Sequence, residues 1–368
     1  MFADAYRGKT VFVTGHTGFK GSWLCLWLER LGARVVGYSL APPTQPSLFE
    51  QAGVASGLEH HLGDVRDAEK LTAALTAASP DFVFHLAAQP LVIDSYAAPA
   101  ETFAINVTGS INLMEAVRAS GMRSAVVMVT TDKVYRNLET GEAFREDDPL
   151  GGHDPYSASK AAMEVAVASW RSSFFASAAG STQGVRIATA RAGNVIGGGD
   201  WSANRLVPDL MRRLASGEPA QLRNPSSLRP WQHVLEPLAG YLWLGAKLAE
   251  AEGERFAEGW NFGPEPEDAR CVGELADAML AALGQSGWID ASDPGKPHEA
   301  GLLRLSIDKA EIGLGWRPVW GFAETAQRTA RWYDGVATHS RDARQMCLDD
   351  LLDYCQAASA ALVDWAHQ

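Results

Sequence analysis

The chain has 368 residues, of which 46% are hydrophobic and 21% are charged. Because single domains usually span about 100–200 residues, this length predicts two lobes or one large domain with an appendage. The composition excludes a disordered, collagen-like or coiled-coil chain. Asp and Glu outnumber Lys and Arg by 44 to 32, a formal net charge of −12, so a general nucleic-acid or anionic-membrane surface is not expected. An anionic ligand therefore needs a local pocket.

The cysteine spacing and the amino terminus predict a cytoplasmic protein without a metal site. The 4 cysteines form no C-x-x-C pair, so neither a zinc site nor a disulfide framework is expected. The first nine residues lack the apolar segment of a signal peptide. No stretch reaches the about 18 uninterrupted apolar residues that a membrane helix needs, so no membrane partner is expected.

Short β-branched runs alternate with longer amphipathic runs from Lys9 to about Ala190. This pattern is typical of βαβ units, and it predicts an α/β protein with a doubly wound parallel sheet, the Rossmann fold. The expected strands cover residues 11–13, 33–38, 82–85 and 125–130, and the expected helices between the first of them cover residues 22–31 and 68–78.

A second, smaller α/β lobe is predicted after Arg191, where glycines and prolines break the chain into short pieces. Residues 201–233 hold five Arg and two acidic residues, which predicts an anion site in an otherwise acidic protein. A solvated helix face is the alternative. The expected division is a first domain over residues 1–190 and about 234–262, a second lobe over 191–233 and 263–345, and a helical extension over 346–368.

A glycine-rich turn follows directly on the first predicted strand and opens the first predicted helix. In such a setting the first glycine makes the turn, the second lets backbone approach a pyrophosphate, and the third lets the helix pack on the strand. The turn therefore predicts a dinucleotide site. Its residues are Gly15, His16, Thr17, Gly18, Phe19, Lys20 and Gly21.

The end of the second strand does not separate NAD from NADP. An acidic residue about 20 positions after the glycines would bind the ribose of NAD. Tyr38 and Ser39 offer hydroxyls there, but neither a carboxylate nor an arginine is present. Asp64, followed by Val65 after the third strand, is the next candidate for an adenine contact, with a loop-capping role as the alternative.

Tyr156 and Lys160 stand four residues apart near the start of a predicted helix, with Asp154 as N-cap and Pro155 at the first position. This spacing places both on one helical face, where an ammonium is expected to lower the phenol's pKa of about 10 and let it act as a base. Thr131 follows the strand over residues 125–130 and completes a Thr/Tyr/Lys triad.

Asp132 and Lys133 come next, at a strand carboxyl end, where open α/β sheets carry their sites. A solvated loop pair with no role is the alternative. If Lys133 acts as a base, its amine must be neutral, so we expect it to be buried near another cation, Lys160 being the candidate.

The chain resembles the extended short-chain dehydrogenase/reductases that act on nucleotide sugars, and among them the CDP-glucose dehydratase branch, over about residues 9–354. Lys133 after Asp132 distinguishes this branch, because the dTDP-glucose dehydratases have Glu there. The segments that carry the resemblance are residues 15–21, 85–89, 131–133, 151–156, 191–201 and 229–237.

The resemblance implies NAD as a tightly held cofactor, although NADP is not excluded by the residues. It also implies a 4,6-dehydratase reaction in which Tyr156, Thr131 and Lys160 serve oxidation at C4. Lys133 then removes the C5 proton and Asp132 protonates the departing 6-hydroxyl. Lys160 also holds the nicotinamide ribose, and further cofactor contacts are implied for Leu86, Ala87, Ala88 and Gln89.

The second lobe is then expected to bind the nucleotide sugar, with CDP-glucose favoured. Arg205 and Arg229 are expected to meet the diphosphate, because planar guanidinium groups match phosphate oxygens. Asn194 and Gln89 are expected to make polar contacts with the nucleotide sugar, and Thr131 is expected to hydrogen-bond its reacting hydroxyl. His233 is either a ligand of the sugar or a buried core histidine.

Three alternatives stay open at this point. A nucleotide-sugar 4-epimerase would use the same Tyr156 and Lys160 and leave Asp132 and Lys133 idle. A dehydratase of another nucleotide sugar fits equally well by physics, since the base rests on the resemblance. A non-catalytic dinucleotide-sensing module would need only the glycine turn. The superfamily suggests a homodimer or homotetramer formed through a helix bundle that includes the Tyr156 helix.

Overall fold

The computed structural model describes residues 1–176, 184–292, 303–338 and 340–367. Its strands are β1 (Thr10–Thr14), β2 (Arg34–Ser39), β3 (Glu59–Leu62), β4 (Phe82–His85), β5 (Ala125–Val129), β6 (Arg186–Ala192), β7 (Val195–Ile196), β8 (Ala220–Leu222), β9 (Leu228–Arg229), β10 (Gln232–His233), β11 (Gly259–Phe262), β12 (Arg270–Cys271) and β13 (Trp288–Asp290).

The α-helices follow the same chain order. They are α1 (Phe19–Arg30), α2 (Leu48–Gln51), α3 (Ala68–Ala78), α4 (Val92–Ala97), α5 (Pro99–Phe103), α6 (Gly109–Ser120), α7 (Pro155–Trp170), α8 (Leu206–Ala215), α9 (Leu235–Ala249), α10 (Val272–Ala282), α11 (Asp308–Leu314), α12 (Phe322–Ala337), α13 (Ala343–Ala360) and α14 (Asp364–His367). Short 3₁₀ turns and two π-helical turns, Ala104–Thr108 and Arg171–Phe175, lie between them.

Seven strands of the described chain form one parallel sheet in the order β11-β6-β5-β4-β1-β2-β3. The order reverses at β1, so the carboxyl ends of β1 and β4 lie on either side of the switch point where such sheets bind ligands. The predicted doubly wound parallel sheet is confirmed. β11 joins it as an edge strand although it is distant in sequence from β6.

Helices cover both faces of the sheet, which explains why its central strands are apolar without alternation. Val11 and Val13 belong to the larger core cluster, together with α1, α9 and the carboxyl-terminal helices. Phe12, between them, belongs to the second cluster, which α3, α6 and α7 build on the other face. The catalytic-helix candidate α7 therefore lies on the side opposite α1.

Local signals set the helix ends. Asp67 caps α3, its side chain accepting from Lys70 N at 3.0 Å, and α3 has the predicted bounds. Helix α1 begins at Phe19, three residues before its predicted start, because Gly18 already serves as its N-cap. Gly18 provides no side-chain cap, so the first-turn amides stay available to a ligand.

The second lobe consists of two-stranded pairs, β7 with β10, β9 with β12 and β8 with β13, together with α8 and α10. Its apolar residues join the same core cluster as α1 and α9, so the two lobes share one hydrophobic core. The division into domains stays a prediction.

The carboxyl-terminal helices pack into the core rather than extend from it. In α14, Trp365 stacks on Phe2 with ring centroids 5.0 Å apart. In α13, Tyr354 donates to the buried Glu236 carboxylate of α9 at 2.7 Å. Glu236 also accepts from Trp320 N at 2.7 Å and Val319 N at 3.0 Å, so one carboxylate joins three segments.

Candidate active site

The glycine turn between β1 and α1 leaves an open cradle for an anionic group. Gly15 has φ +76°, and a Cβ there would lie 2.6 Å from Ala87 N. A Cβ on Gly21 would lie 2.1 Å from Gly15 O, so both positions require glycine. A Cβ on Gly18 would meet nothing nearer than Gly15 O at 3.4 Å. The space beside Gly18 is therefore free for a pyrophosphate at the start of a helix.

His16 and Thr17 fix the end of β2. The His16 ring is buried, its Nε2 lies 2.6 Å from His60 Nδ1, and Gly37 makes room for it, since a Cβ there would come within 2.5 Å of the ring. Burial, followed by the charge of His60, lowers the pKa of His16 to about 3. Thr17 Oγ1 lies 2.9 Å from Ser39 Oγ. The end of β2 therefore carries neutral side chains in the place where a carboxylate would bind the ribose of NAD.

The residues after β2 and β3 are held by their own neighbours. Tyr38 donates its hydroxyl to Asp64 O at 3.1 Å. The Asp64 carboxylate accepts from Arg66 at 2.6 Å, and this hydrogen bond lowers its pKa. Val65 packs under Gly109, where a Cβ would lie 2.6 Å from a Val65 methyl carbon. Asp64 also accepts from Arg66 N at 2.8 Å, which is a loop-capping hydrogen bond, and its adenine contact stays a prediction.

The loop after β4, residues 86–89, continues this edge of the sheet, with Leu86, Ala87 and Ala88 half-buried. The Gln89 side chain donates to Thr102 Oγ1 at 3.0 Å and accepts from Leu91 N at 2.5 Å. Its amide is therefore occupied by hydrogen bonds to neighbouring residues, and its contacts with cofactor and substrate stay predictions. Asn106, which sequence reasoning missed, accepts from Gln89 N at 2.9 Å and donates to Ser159 Oγ at 2.9 Å.

Thr131, Asp132 and Lys133 follow β5, as predicted. Thr131 donates to Asp132 Oδ1 at 2.9 Å and accepts from Lys133 N at 3.4 Å. Asp132 is 2% exposed, and its Oδ2 has no hydrogen-bond partner among the described residues. This oxygen faces Gly193, where a Cβ would lie 3.1 Å away. A buried carboxylate oxygen without a partner is costly, which indicates that a ligand group completes it.

Tyr156 and Lys160 lie on α7, whose start is capped by Asp154 through Ser157 N at 3.0 Å. Burial raises the pKa of Tyr156 to about 12, while its hydrogen bond with Thr131 opposes the rise. The predicted lowering of this pKa by Lys160 is wrong for the structure. Lys160 donates to Val129 O at 3.1 Å, and burial lowers its own pKa to about 8.

The surroundings of Lys133 also differ from the prediction that it is buried near another cation. Its side chain is half-buried rather than buried, and its ammonium forms no hydrogen bond or ion pair with any part of the chain that the structure describes. Besides Lys160, burial also affects the amine of Lys20 in the first turn of α1, whose pKa falls to about 7 through burial and the neighbouring Arg205 charge. Sequence reasoning assigned Lys20 only to the glycine turn.

The candidate substrate residues are not all in one place. Arg205 pairs with Asp200 at 2.9 Å and lies in the electrostatic field of Tyr156, so it belongs to the site. Asn194 is half-buried after β6, beside the Gly193 that faces Asp132. Arg229 is buried in β9 and donates to Leu228 O at 2.9 Å.

His233 lies in the core instead. It is fully buried, with ring centroids 5.9 Å from Trp23 and 5.0 Å from Trp320. Its Nδ1 accepts from Leu235 N at 3.3 Å, and burial lowers its pKa to about 3. The structure therefore does not bring His233 to the other substrate candidates, and the core alternative fits its position.

The positive segment over residues 201–233 is only partly a site. Arg212 pairs with Asp209, and Arg223 with the same carboxylate, at the surface. Arg213 pairs with Glu218, also at the surface. Arg205 is the member of this segment whose charge acts on Tyr156 and Lys20. Among the described residues no group of three or more His, Cys, Asp or Glu could hold a metal ion, and no helix is long and apolar enough to span a bilayer.

The parallel sheet, the glycine cradle at its switch point and the Thr131, Tyr156 and Lys160 group define a dinucleotide-dependent enzyme that acts on an alcohol or carbonyl carbon. The adjacent Asp132 and Lys133 add acid–base capacity beside that carbon. The chain belongs to the NAD dependent epimerase/dehydratase family, whose model matches residues 11–258.

Curated relatives cover most of the chain. It is 49% identical over 329 residues to a CDP-glucose 4,6-dehydratase of Salmonella typhimurium, covering 89% of this chain and 91% of the relative. It is 29% identical over 348 residues to a dTDP-glucose 4,6-dehydratase of Xanthomonas campestris pv. campestris, covering 88% and 93%.

Solved structures agree on the fold. A dTDP-glucose 4,6-dehydratase of Streptomyces venezuelae, with NAD bound, has a TM-score of 0.73 at 26% identity and covers 88% of this chain and 97% of that one. A UDP-glucose 4-epimerase of Thermus thermophilus in complex with NAD has a TM-score of 0.72 at 26% identity, covering 89% and 99%.

Proposed function

We propose that the chain is a CDP-glucose 4,6-dehydratase that converts CDP-D-glucose to CDP-4-dehydro-6-deoxy-D-glucose and water with NAD. The observation that carries the proposal is the buried, partnerless Oδ2 of Asp132 between Thr131 and Lys133, next to the Tyr156 group. A reaction confined to C4 has no use for a second acid–base pair. The 49% identity to a relative of that activity supports the choice of CDP-glucose.

The glycine cradle fits NAD, because only hydrogen atoms at Gly15 and Gly21 permit the turn and the space beside Gly18 is open. The residues that would hold it are the turn 15–21, Tyr38 and Ser39, the loop 64–65, the loop 86–89, and Tyr156 with Lys160. When bound, NAD would supply the hydride chemistry at C4 and C6.

Tyr156 takes the proton of the sugar 4-hydroxyl, and Thr131 shares the hydrogen bond. Since burial raises the pKa of Tyr156 to about 12, the phenol is neutral in this structure and needs added positive charge to ionise. The charge of Arg205 acts on Tyr156, and Lys160 lies one turn further along α7. The 4-ketone that forms makes the C5 proton acidic.

Lys133 removes the C5 proton, and Asp132 protonates the departing 6-hydroxyl. The half-buried Lys133 side chain has no hydrogen bond or ion pair within the described residues, so it is free to turn toward a substrate, and it acts as a base in its neutral amine form. Arg205 meets the diphosphate, with Asn194 beside the sugar and Arg229 further into the second lobe. Thr131 contacts the reacting hydroxyl.

Incubation with NAD and a panel of glucose nucleotides, with products read by mass, tests the proposal. We expect loss of water from CDP-glucose and at least tenfold slower reaction with the dTDP, UDP and GDP sugars. Epimerisation without loss of mass, or water loss from another nucleotide only, would contradict it. Binding of NAD with no product from any sugar would favour a dinucleotide-sensing module.

Lys133→Met separates oxidation from elimination. We expect this variant to oxidise C4 and stall, so that bound NADH accumulates in the absorbance spectrum, while the C5 proton does not exchange with deuterated water. Lys70→Met, an exposed lysine on α3, is the matched control. Formation of the 6-deoxy product by Lys133→Met at the wild-type rate would show that Lys133 is a bystander.

The proposal extends to assembly and location. α4, α5 and α7 pack together and expose apolar side chains, Ile93, Phe103 and Val165 being 45%, 38% and 60% exposed. These helices support a homodimer, or a homotetramer that contains this dimer. Sedimentation of the wild type and of Val165→Glu tests this assembly. The protein would act in the cytoplasm, in deoxysugar biosynthesis for lipopolysaccharide and O-antigen.

A further inference from the structure

Lys20 reaches from the cofactor turn to the catalytic groups. It is the second residue of α1 and half-buried, and its Nζ lies 3.5 Å from the hydroxyl of Tyr241 and 5.8 Å from the centre of that ring. Tyr241 is fully buried on α9 and lies in the field of both Tyr156 and Asp132. The ammonium is therefore inside the site rather than on the outer face of the helix.

The charged groups that act on Lys20 come from separate elements. They are Arg205 before α8, Asp132 after β5, Lys160 on α7 and Asp200 after β7. Asp200 is already paired with Arg205. Within the described residues no carboxylate forms an ion pair with Lys20, and Asp132 Oδ2 has no partner either. The Lys20 ammonium, which has no carboxylate partner within the described residues, and the partnerless Asp132 oxygen therefore belong to one site and interact through their charges.

We propose that Lys20 supplies the proton with which Asp132 protonates the departing 6-hydroxyl. The inference rests on the proposed dehydratase function. Because Lys20 and Asp132 are not in contact, a water molecule or the 6-hydroxyl itself bridges them. Lys20 is called a positioning residue, because it acts on the departing hydroxyl only through Asp132. Burial and the Arg205 charge bring the pKa of Lys20 to about 7, so its amine releases a proton near neutral pH.

The proton balance closes without an outside acid. Breaking the C5–H bond places its proton on the Lys133 amine, and the electron pair forms the C5–C6 double bond. Asp132 takes a proton from Lys20 and passes it to the 6-oxygen as the C6–O bond breaks and water leaves. When C6 is reduced, C5 regains its proton from Lys133. Neutral Lys20 regains through solvent the proton that Tyr156 took from the 4-hydroxyl, so each group returns to its starting state.

Single turnovers of CDP-glucose in deuterated water test this role with Lys20→Met, Lys20→Arg and the control Lys70→Met. Absorbance of bound NADH reports C4 oxidation, deuterium at C5 of recovered sugar reports Lys133, and mass reports the 6-deoxy product. At saturating NAD, we expect Lys20→Met to lose water at least tenfold more slowly than the wild type when each rate is compared with the same protein's rates of C4 oxidation and C5 exchange. Lys20→Arg should not restore the rate, since a guanidinium does not release a proton at this pH.

The pH profile gives a readout that a structural role would not move. Product formation by the wild type should fall as pH rises through the titration of Lys20, and this fall should be absent in Lys20→Met. Rescue by Lys20→Arg, wild-type water loss in Lys20→Met, or a loss confined to NAD or CDP affinity would each overturn the proposal. If the wild type itself does not dehydrate CDP-glucose, the proposed function fails, which the same experiment distinguishes.

Discussion

Gly18 and Gly21 lie in the same turn, yet a side chain meets different surroundings at the two positions. A Cβ on Gly21 would lie 2.1 Å from Gly15 O and 2.7 Å from the Cα of His16. A Cβ on Gly18 would have 3.4 Å to its nearest neighbour and otherwise open space. We expect Gly21→Ala to damage the turn itself, and Gly18→Val to block the ligand while the fold survives.

These contacts determine the expected changes in unfolding free energy and in NAD affinity. At Gly21 the neighbours are backbone atoms about 1 Å too close, so the turn must move, and overpacking of this kind costs about 1–3 kcal/mol of unfolding free energy. Gly18 has extended backbone, φ −80° and ψ 173°, which Val adopts readily, so its cost should stay below about 0.5 kcal/mol. Loss of one charge-assisted phosphate contact is worth about 1.5–3 kcal/mol, or about 10- to 150-fold in the NAD dissociation constant.

Urea unfolding and calorimetric NAD titration measure the two effects separately. Gly263→Ala is the control, because a Cβ there would have only ordinary contacts at 3.6 Å. We expect Gly18→Val to unfold with the wild type but bind NAD weakly, and Gly21→Ala to lose both properties. Unchanged NAD binding by Gly18→Val would refute the assignment of the cradle, and unchanged unfolding of Gly21→Ala would refute the clash.

Tyr156→Phe should keep NAD affinity but form no NADH from CDP-glucose, because the base for the 4-hydroxyl is lost; normal turnover would contradict the triad. Arg205→Lys should keep a positive charge beside the buried Asp200, so the melting temperature should not change. It should weaken CDP binding about tenfold in calorimetry, because a lysine lacks the planar guanidinium that binds two phosphate oxygens. Equal CDP affinity would remove Arg205 from the site. Burial raises the pKa of Glu236 from 4.5 to about 7, so the folded chain holds this proton longer than the unfolded chain. Wild-type stability should therefore fall by about 3 kcal/mol between about pH 4.5 and 7, while Glu236→Gln should show no such fall in urea unfolding; parallel curves would contradict the pKa.

The sequence predicts those parts of the fold that local signals determine. The alternation of strands and helices, the Asp67 cap of α3 and the Asp154 cap of α7 are all written within a few neighbouring residues. The start of α1 is misplaced because Gly18 caps the helix with backbone alone, leaving no side-chain signal. The family, the parallel sheet and the order of the motifs along the chain can therefore be predicted from the sequence.

What the sequence does not predict depends on contacts between distant segments. His60 opposite His16 requires the register of β2 and β3, and the Gln89 hydrogen bonds require the turn of the chain after β4. Spacing on α7 correctly predicts that Tyr156 and Lys160 lie one turn apart. It does not predict that burial raises the pKa of Tyr156, because desolvation is a property of the whole site. The environment of Lys20 is hidden for the same reason.

The stacking of Trp365 on Phe2 has a consequence for synthesis of the chain. Phe2 also lies 5.6 Å from Trp27 of α1, so during synthesis Phe2 has one aromatic neighbour within 25 residues of chain and the other only after residue 365 is made. Until then the face of α1 that receives the late helices is uncovered, and a nascent chain exposes Trp27 and its neighbours to solvent and to chaperones. A ribosome that stalls before α14 would hold a cofactor domain with one side of its core open.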